Sequence, residues 1–151
     1  MDRADQDVMD QFDWAWGRFS SRMRGLGDGE WAWHPVSADP RISIRWRVDH
    51  IAQTLSEDRN WLWLGVAPPA GAVPLGPAAS AAQAITAASS AYARLRGVIT
   101  SDEVDLAEAI GPVGGPYHHS SRRSFVLHLA DELIHHAAEA ALLRDIYAGW
   151  T

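Results

Sequence analysis

The sequence predicts an all-α protein: a four-helix bundle with one long crossover loop and one short extra helix. Three observations carry that expectation. Four long stretches repeat their apolar residues at helical spacing. No stretch alternates apolar and polar residues between hairpin turns, and no internal repeat appears. The segments between the periodic stretches are rich in Pro and Gly, which end helices rather than continue them. A length of 151 residues suffices for one core, so 1–151 is read as a single domain.

From Arg3 to Arg24 the apolar residues Val8, Met9, Phe12, Trp16, Phe19 and Met23 lie on one amphipathic helix. Gly25 to Gly29 stop it. Glu30 to Arg41 reads as a connection, pinned to the bundle by Trp31 and Trp33. The second helix is expected over Ser43 to Leu64. Ile44, Val48, Ile51 and Leu55 form its core stripe. A second face carries Trp46, His50, Gln53 or Thr54, Glu57 and Trp61. That face is aromatic and polar at once, which suits a cavity wall, although aromatic residues at this spacing are also ordinary core packing.

Residues 65–79 hold four prolines and three glycines and form the crossover loop, long enough to join helix ends that are not neighbours. The third helix runs from Ser80 to Ile99, rich in Ala, so a neighbour can approach it closely. Ser101 as N-cap, with Asp102 and Glu103 in the first turn, starts the short extra helix, ending at Ile110. Residues 111–120 are a loop. The fourth long helix then runs from Ser121 to the end of the chain.

Composition removes several functions. The chain has no Cys, which excludes disulfides, zinc–thiolate sites and a cysteine nucleophile. It has no Lys either, which excludes Schiff-base chemistry. A net charge of −6 without a basic block argues against nucleic acid as a partner. No run of 18 apolar residues marks a membrane span, and the polar start MDRADQDVMDQ is unlike a signal peptide. The expected location is therefore the cytoplasm.

The last helix carries His128, Glu132, His135, His136 and Glu139 among Leu and Ala. At ~100° per residue, positions 128, 132, 136 and 139 share one side, which cannot be a dry core face because buried, unpaired carboxylates and imidazoles are costly. Glu132 and His136, four apart, project from successive turns toward one point, as metal-binding pairs on helices do. His50, on the polar face of the second helix, would complete a site assembled from facing helices. The residues alone leave this open against a solvated helix with scattered histidines. His135 lies ~100° round from His136, which fits support for a ligand or plain surface. His128 fits a pocket mouth or solvent, and Glu139 and Asp131 could orient ligand imidazoles. Arg122 and Arg123 could meet an acidic substrate, but they oppose the helix dipole and are expected to be solvated, Asp49 likewise. Arg144 is expected to form a structural pair with Asp145 or a neighbouring helix.

The segments IRWRVDHIAQ (44–53) and HLADELIHHAAEAALLRDIY (128–147) resemble the two signatures of the DinB-like bundle superfamily in its actinobacterial branch. The resemblance extends over most of the chain, including the approach from Trp31 to Pro35 and the Pro/Gly crossover. It implies a metal held by one His of the second helix and two residues four apart on the last, here His50, Glu132 and His136. Many members have His at the first of that pair; Glu132 is similar to the mycothiol-dependent maleylpyruvate isomerases. The resemblance also implies a divalent ion, Zn most of all with Ni as an alternative, a low-molecular-weight thiol such as mycothiol, and a homodimer.

A His/Glu/His set leaves coordination positions open, the pattern of a catalytic zinc. The function expected is a metal-dependent thiol S-transferase or isomerase acting on a small-molecule electrophile at a cavity walled by Trp46 and Trp61. The isomerases carry a further C-terminal domain, whereas this sequence stops at Thr151, so maleylpyruvate isomerisation itself is not expected. The rival readings are a non-catalytic small-ligand or partner-binding bundle and a hydrolase using metal-activated water.

Overall fold

The structure, a computed structural model, describes residues 2–69 and 75–150; residues 70–74 of the expected crossover, and Thr151, lie outside the described residues. Its helices are α1 (Arg3–Arg22), α2 (Asp28–Ala32), α3 (Ile44–Ser56), α4 (Asp58–Trp63), α5 (Ala81–Ile99) and α6 (Arg122–Trp150), with a 3-10 helix at Pro112–Tyr117. The four long ones, α1, α3, α5 and α6, make the expected all-α bundle. There α3 packs against both α5 and α6, and α1 packs against α6. Among the described residues there is no strand, and no helix is long and apolar enough to cross a membrane.

Local chemistry sets each start. Asp2 caps α1 by accepting the Asp5 N–H at 2.8 Å, while the Asp5 carboxylate accepts the Asp2 N–H at 3.2 Å. Val8, Phe12, Ala15 and Phe19 follow on the buried face. Ser43 and Ser80 cap α3 and α5 by accepting the Trp46 and Gln83 N–H groups. The small residues Ala81, Ala84, Ala88 and Ala91 form the buried face of α5 and let α3 lie close. Tyr92 stacks on Trp16 at 4.4 Å, and Asp13 accepts hydrogen bonds from Tyr92 and Arg96, tying α5 to α1.

The expected helix from Ser43 to Leu64 is two helices. Glu57 is extended, at φ −60° and ψ 135°, and the chain restarts as α4 in a new direction. Fully buried Asn60 fixes the break: its Nδ2 donates to the Thr54 carbonyl at 2.7 Å, satisfying one of the orphan acceptors at the end of α3. Trp61 consequently turns inward and is only 3% exposed. It is a core residue, not a partner of Trp46 in a cavity wall.

The short helix expected from Ser101 to Ile110 does not form. Ser101 Oγ donates back to the Val98 carbonyl at 2.8 Å instead of capping a new helix, and Asp105 takes the Ala107 N–H at 2.9 Å. The segment crosses the start of α6, where the Arg122 and Arg123 N–H groups donate to the carbonyls of Glu108 and Leu106 at 2.9 and 2.8 Å. The segment thus takes the first two N–H groups of α6, beside Ser121 Oγ, which accepts the Ser124 N–H at 3.1 Å. The short extra helices lie elsewhere, at α2, which joins the end of the expected Gly25–Gly29 stop to the start of the Glu30–Arg41 connection, and at the 3-10 turn.

Arg122 and Arg123 are not solvated. Arg122 pairs with Glu108 at 2.8 Å, and its guanidinium fills the space where a side chain at Gly65 would stand. Arg123 bridges Asp2 and Asp5 at the start of α1. At the other end of α6, Arg144 grips Glu30 through Nε and Nη2 at 3.0 and 2.9 Å, and its Nη1 donates to the Arg22 and Arg24 carbonyls. The partner of Arg144 is therefore α2 and the turn before it, while Asp145 pairs with Arg22. These clamps set the axial position of α6 and, with it, the height of its histidines.

Candidate metal centre

Three side chains converge where α3 faces α6. Ile44, Val48, Ile51 and Leu55 are at most 2% exposed and seat α3 in the core, which aims the adjacent face, with Trp46 and His50, toward α6. Leu129, Leu133 and Ala140 seat α6 in the same way and bring Glu132 and His136 round to meet it. One donor atom from each of His50, Glu132 and His136 lies within 4.8 Å of the others. Glu132 Oε2 stands 3.5 Å from His136 Nε2, and the two imidazole rings meet edge to face at 4.5 Å.

The surroundings orient both rings. His136 Nδ1 donates to Glu139 Oε2 at 2.9 Å, which leaves Nε2 as the donor aimed at Glu132. Trp46 stacks on His50 at 4.6 Å and 15°, and meets His136 edge-on at 5.9 Å. Burial, and next the charge of His136, push His50 below its ordinary pKa, while Glu132 opposes the shift. A depressed pKa favours the neutral imidazole, which is the ligating form.

The remaining residues of interest separate. His135 points outward, 63% exposed, with Nε2 3.2 Å from Glu139 Oε1. His128 is exposed and Asp131 likewise. Asp49 is half-buried rather than a free solvent charge, accepting the Ala78 N–H at 3.4 Å, and burial raises its pKa. Arg47, not singled out from sequence, lies at the centre of the arrangement. Its Nε stands 3.1 Å from Glu139 Oε2, and its guanidinium lies 4.8 Å from the Trp46 ring centroid. Its position directly between Trp46 and Val48 was the available signal, since a side chain there sits at the edge of the face that His50 occupies.

The cavity expected between Trp46 and Trp61 is replaced by two spaces. A cleft of about 10 Å³, no more than water-sized, is lined by Ile51, Thr54, Leu55, Glu132, Leu133 and His136. A cavity of about 500 Å³ opens on the other side of His50, with His34, Arg45, Trp46, Asp49 and Gln53 in its lining.

The donor set fits a divalent cation. Two imidazoles and one carboxylate suit zinc, and also nickel or iron, and three protein ligands leave a position open. Two lone-pair donors 3.5 Å apart, one a carboxylate, also form an electron-rich gap that a cation would fill.

Comparison with known proteins gives the family and no more. No curated protein and no solved structure matches the chain. A family model described as DinB superfamily matches residues 11–140, a span that includes His50, Glu132, His136 and the helices that hold them. The chain therefore belongs to the DinB superfamily.

Proposed function

We propose that this protein is a metal-dependent thiol S-transferase or isomerase, with His50, Glu132 and His136 holding a divalent ion, zinc first and nickel second. One observation carries the metal part of this reading: the hydrogen bond from His136 Nδ1 to Glu139 turns Nε2 toward Glu132 and His50; the thiol part rests on the resemblance to the mycothiol-dependent isomerases. When bound, a divalent ion at such an open site supplies Lewis acidity, lowering the pKa of a thiol or water placed there.

The chain's own residues would do the rest. Trp46, flat against His50, and the apolar side chains of Ile51, Leu55 and Leu133 limit water around the donors. With no Cys in the chain, the sulfur must arrive on a small-molecule thiol, mycothiol-like in this reading. The thiol proton leaves to solvent, sulfur forms the new bond to the electrophilic carbon, and the displaced electron pair goes to the leaving group or conjugated system. The cavity beside His50 is large enough for the small-molecule substrate. The setting proposed is one cytoplasmic domain, where such thiols are reduced.

The water-sized space at Glu132 and His136 supports a second reading, in which only water reaches the open position and the protein is a hydrolase or a non-catalytic ligand-binding bundle. Incubating zinc-loaded protein with thiol and a model electrophile separates the two. Thiol consumption that disappears in His50→Ala supports the transferase; no consumption with any low-molecular-weight thiol rules it out.

A further inference from the structure

We propose that Arg47 decides which of two overlapping donor groups takes the ion, by placing its own positive charge at the second. The inference rests on the metal reading above and concerns a different question, namely what keeps the ion on one side of His136.

Two groups of side chains among the described residues have the donors for a metal: His50, Glu132 and His136, and alternatively His135, His136 and Glu139. They share His136, which offers Nε2 to the first and Nδ1 to the second. Each set is two imidazoles and a carboxylate, so ligand chemistry does not choose between them. Accessibility favours the second, because His135 is 63% exposed.

The groups differ in how Arg47 meets them: it pairs with the carboxylate of the second, and acts on the first only from further off, through its charge on His50. Arg47 Nε lies 3.1 Å from Glu139 Oε2, and the Arg47 side chain is only 16% exposed. Among the described residues, the ion-pair partner of Glu132 is His136 alone. Guanidinium stays protonated at every working pH, and at this range it strongly repels a dication approaching Glu139. Arg47 is also held in place, against the same indole that stacks on His50. Glu139 is thereby kept as a hydrogen-bond acceptor for His136 and kept from acting as a ligand. Arg47 is in this sense a positioning residue, acting through Glu139.

The test is zinc stoichiometry by equilibrium dialysis and elemental analysis on the full chain. Wild type should hold one ion. Arg47→Met and Arg47→Gln should each hold one ion whose binding now depends on His135, because a neutral His136 has one lone pair to offer, whereas Arg47→Lys should behave as wild type. Adding His135→Ala to either neutral variant should return the ion to the His50 side. If the neutral variants misfold, His135→Ala alone carries the test, since its site is exposed: zinc affinity should be unchanged. A loss of about tenfold, the size of effect expected when a metal site loses an important group, would place the ion on the His135 side and overturn the proposal. Neutral variants that hold one ion with unchanged affinity and no dependence on His135 also overturn it, leaving the metal reading intact. Wild type that takes up no zinc overturns both.

Discussion

His136 Nδ1 donates to Glu139 at 2.9 Å while its Nε2 stands 3.5 Å from Glu132, so one imidazole is held between two carboxylates of its own helix, one turn before and one after. The two contacts are unequal in kind. The short one fixes the ring and its proton, and the longer one leaves the space that a cation needs.

Glu139→Ala should therefore leave the three proposed ligands in place and weaken zinc binding by about 10–100-fold, the usual cost of removing a carboxylate that orients a ligating imidazole. Competition against a chromophoric chelator measures it. Unchanged affinity would show that the hydrogen bond to Nδ1 has no part in holding the ion.

Asn60→Ala should destabilise the fold by about 1–3 kcal/mol, because the Thr54 carbonyl at the end of α3 loses its buried donor. Urea titration reads the change. A loss within the error of the titration would mean that the break at Glu57 does not depend on Asn60.

Arg144→Met removes both bonds to Glu30, whose side chain is 15% exposed, and leaves that carboxylate without its cation. The expected loss is about 1–3 kcal/mol. In a double-mutant cycle with Glu30→Gln the two losses should be less than additive. Full additivity would contradict the clamp.

Asp13 gives a pH signature. The Arg96 hydrogen bond, helped by Tyr92 and opposed by burial, holds its carboxyl below the ordinary 3.8. A folded-state pKa below the unfolded one contributes stability that is complete above the unfolded value and is lost as pH falls through the folded one. The stability difference between wild type and Asp13→Asn should be constant near neutrality and shrink below pH 3.8. A difference that grows on acidification would contradict this assignment.

Apolar periodicity made the four long helices legible in the sequence, because Ile44, Val48, Ile51 and Leu55, or Val8, Phe12 and Phe19, have only one way to be buried together. The same stripes allowed His50 to face Glu132 and His136 but left a solvated helix equally open, and the resemblance to the DinB-like signatures singled out the three. The break at Glu57 was not legible. Residues 56–60 contain neither Gly nor Pro, and the break depends on Asn60 finding the Thr54 carbonyl, a contact that helical periodicity does not report. Ser101 misled for a related reason, since its hydroxyl bonds backward to Val98 where an N-cap would bond forward. Arg47 was hidden because an arginine beside a core position is ordinarily a solvated one, and only the approach of α6 gives it Glu139.

Zinc content per chain reports whether His50, Glu132 and His136 together hold one divalent ion. Protein purified without chelator, then dialysed against limiting zinc, should carry one ion per chain in the wild type and well under one in His136→Ala with its helicity intact. Wild type that neither carries nor takes up zinc or nickel, or a His136→Ala variant that still holds a full equivalent, would mean that these three residues hold no ion.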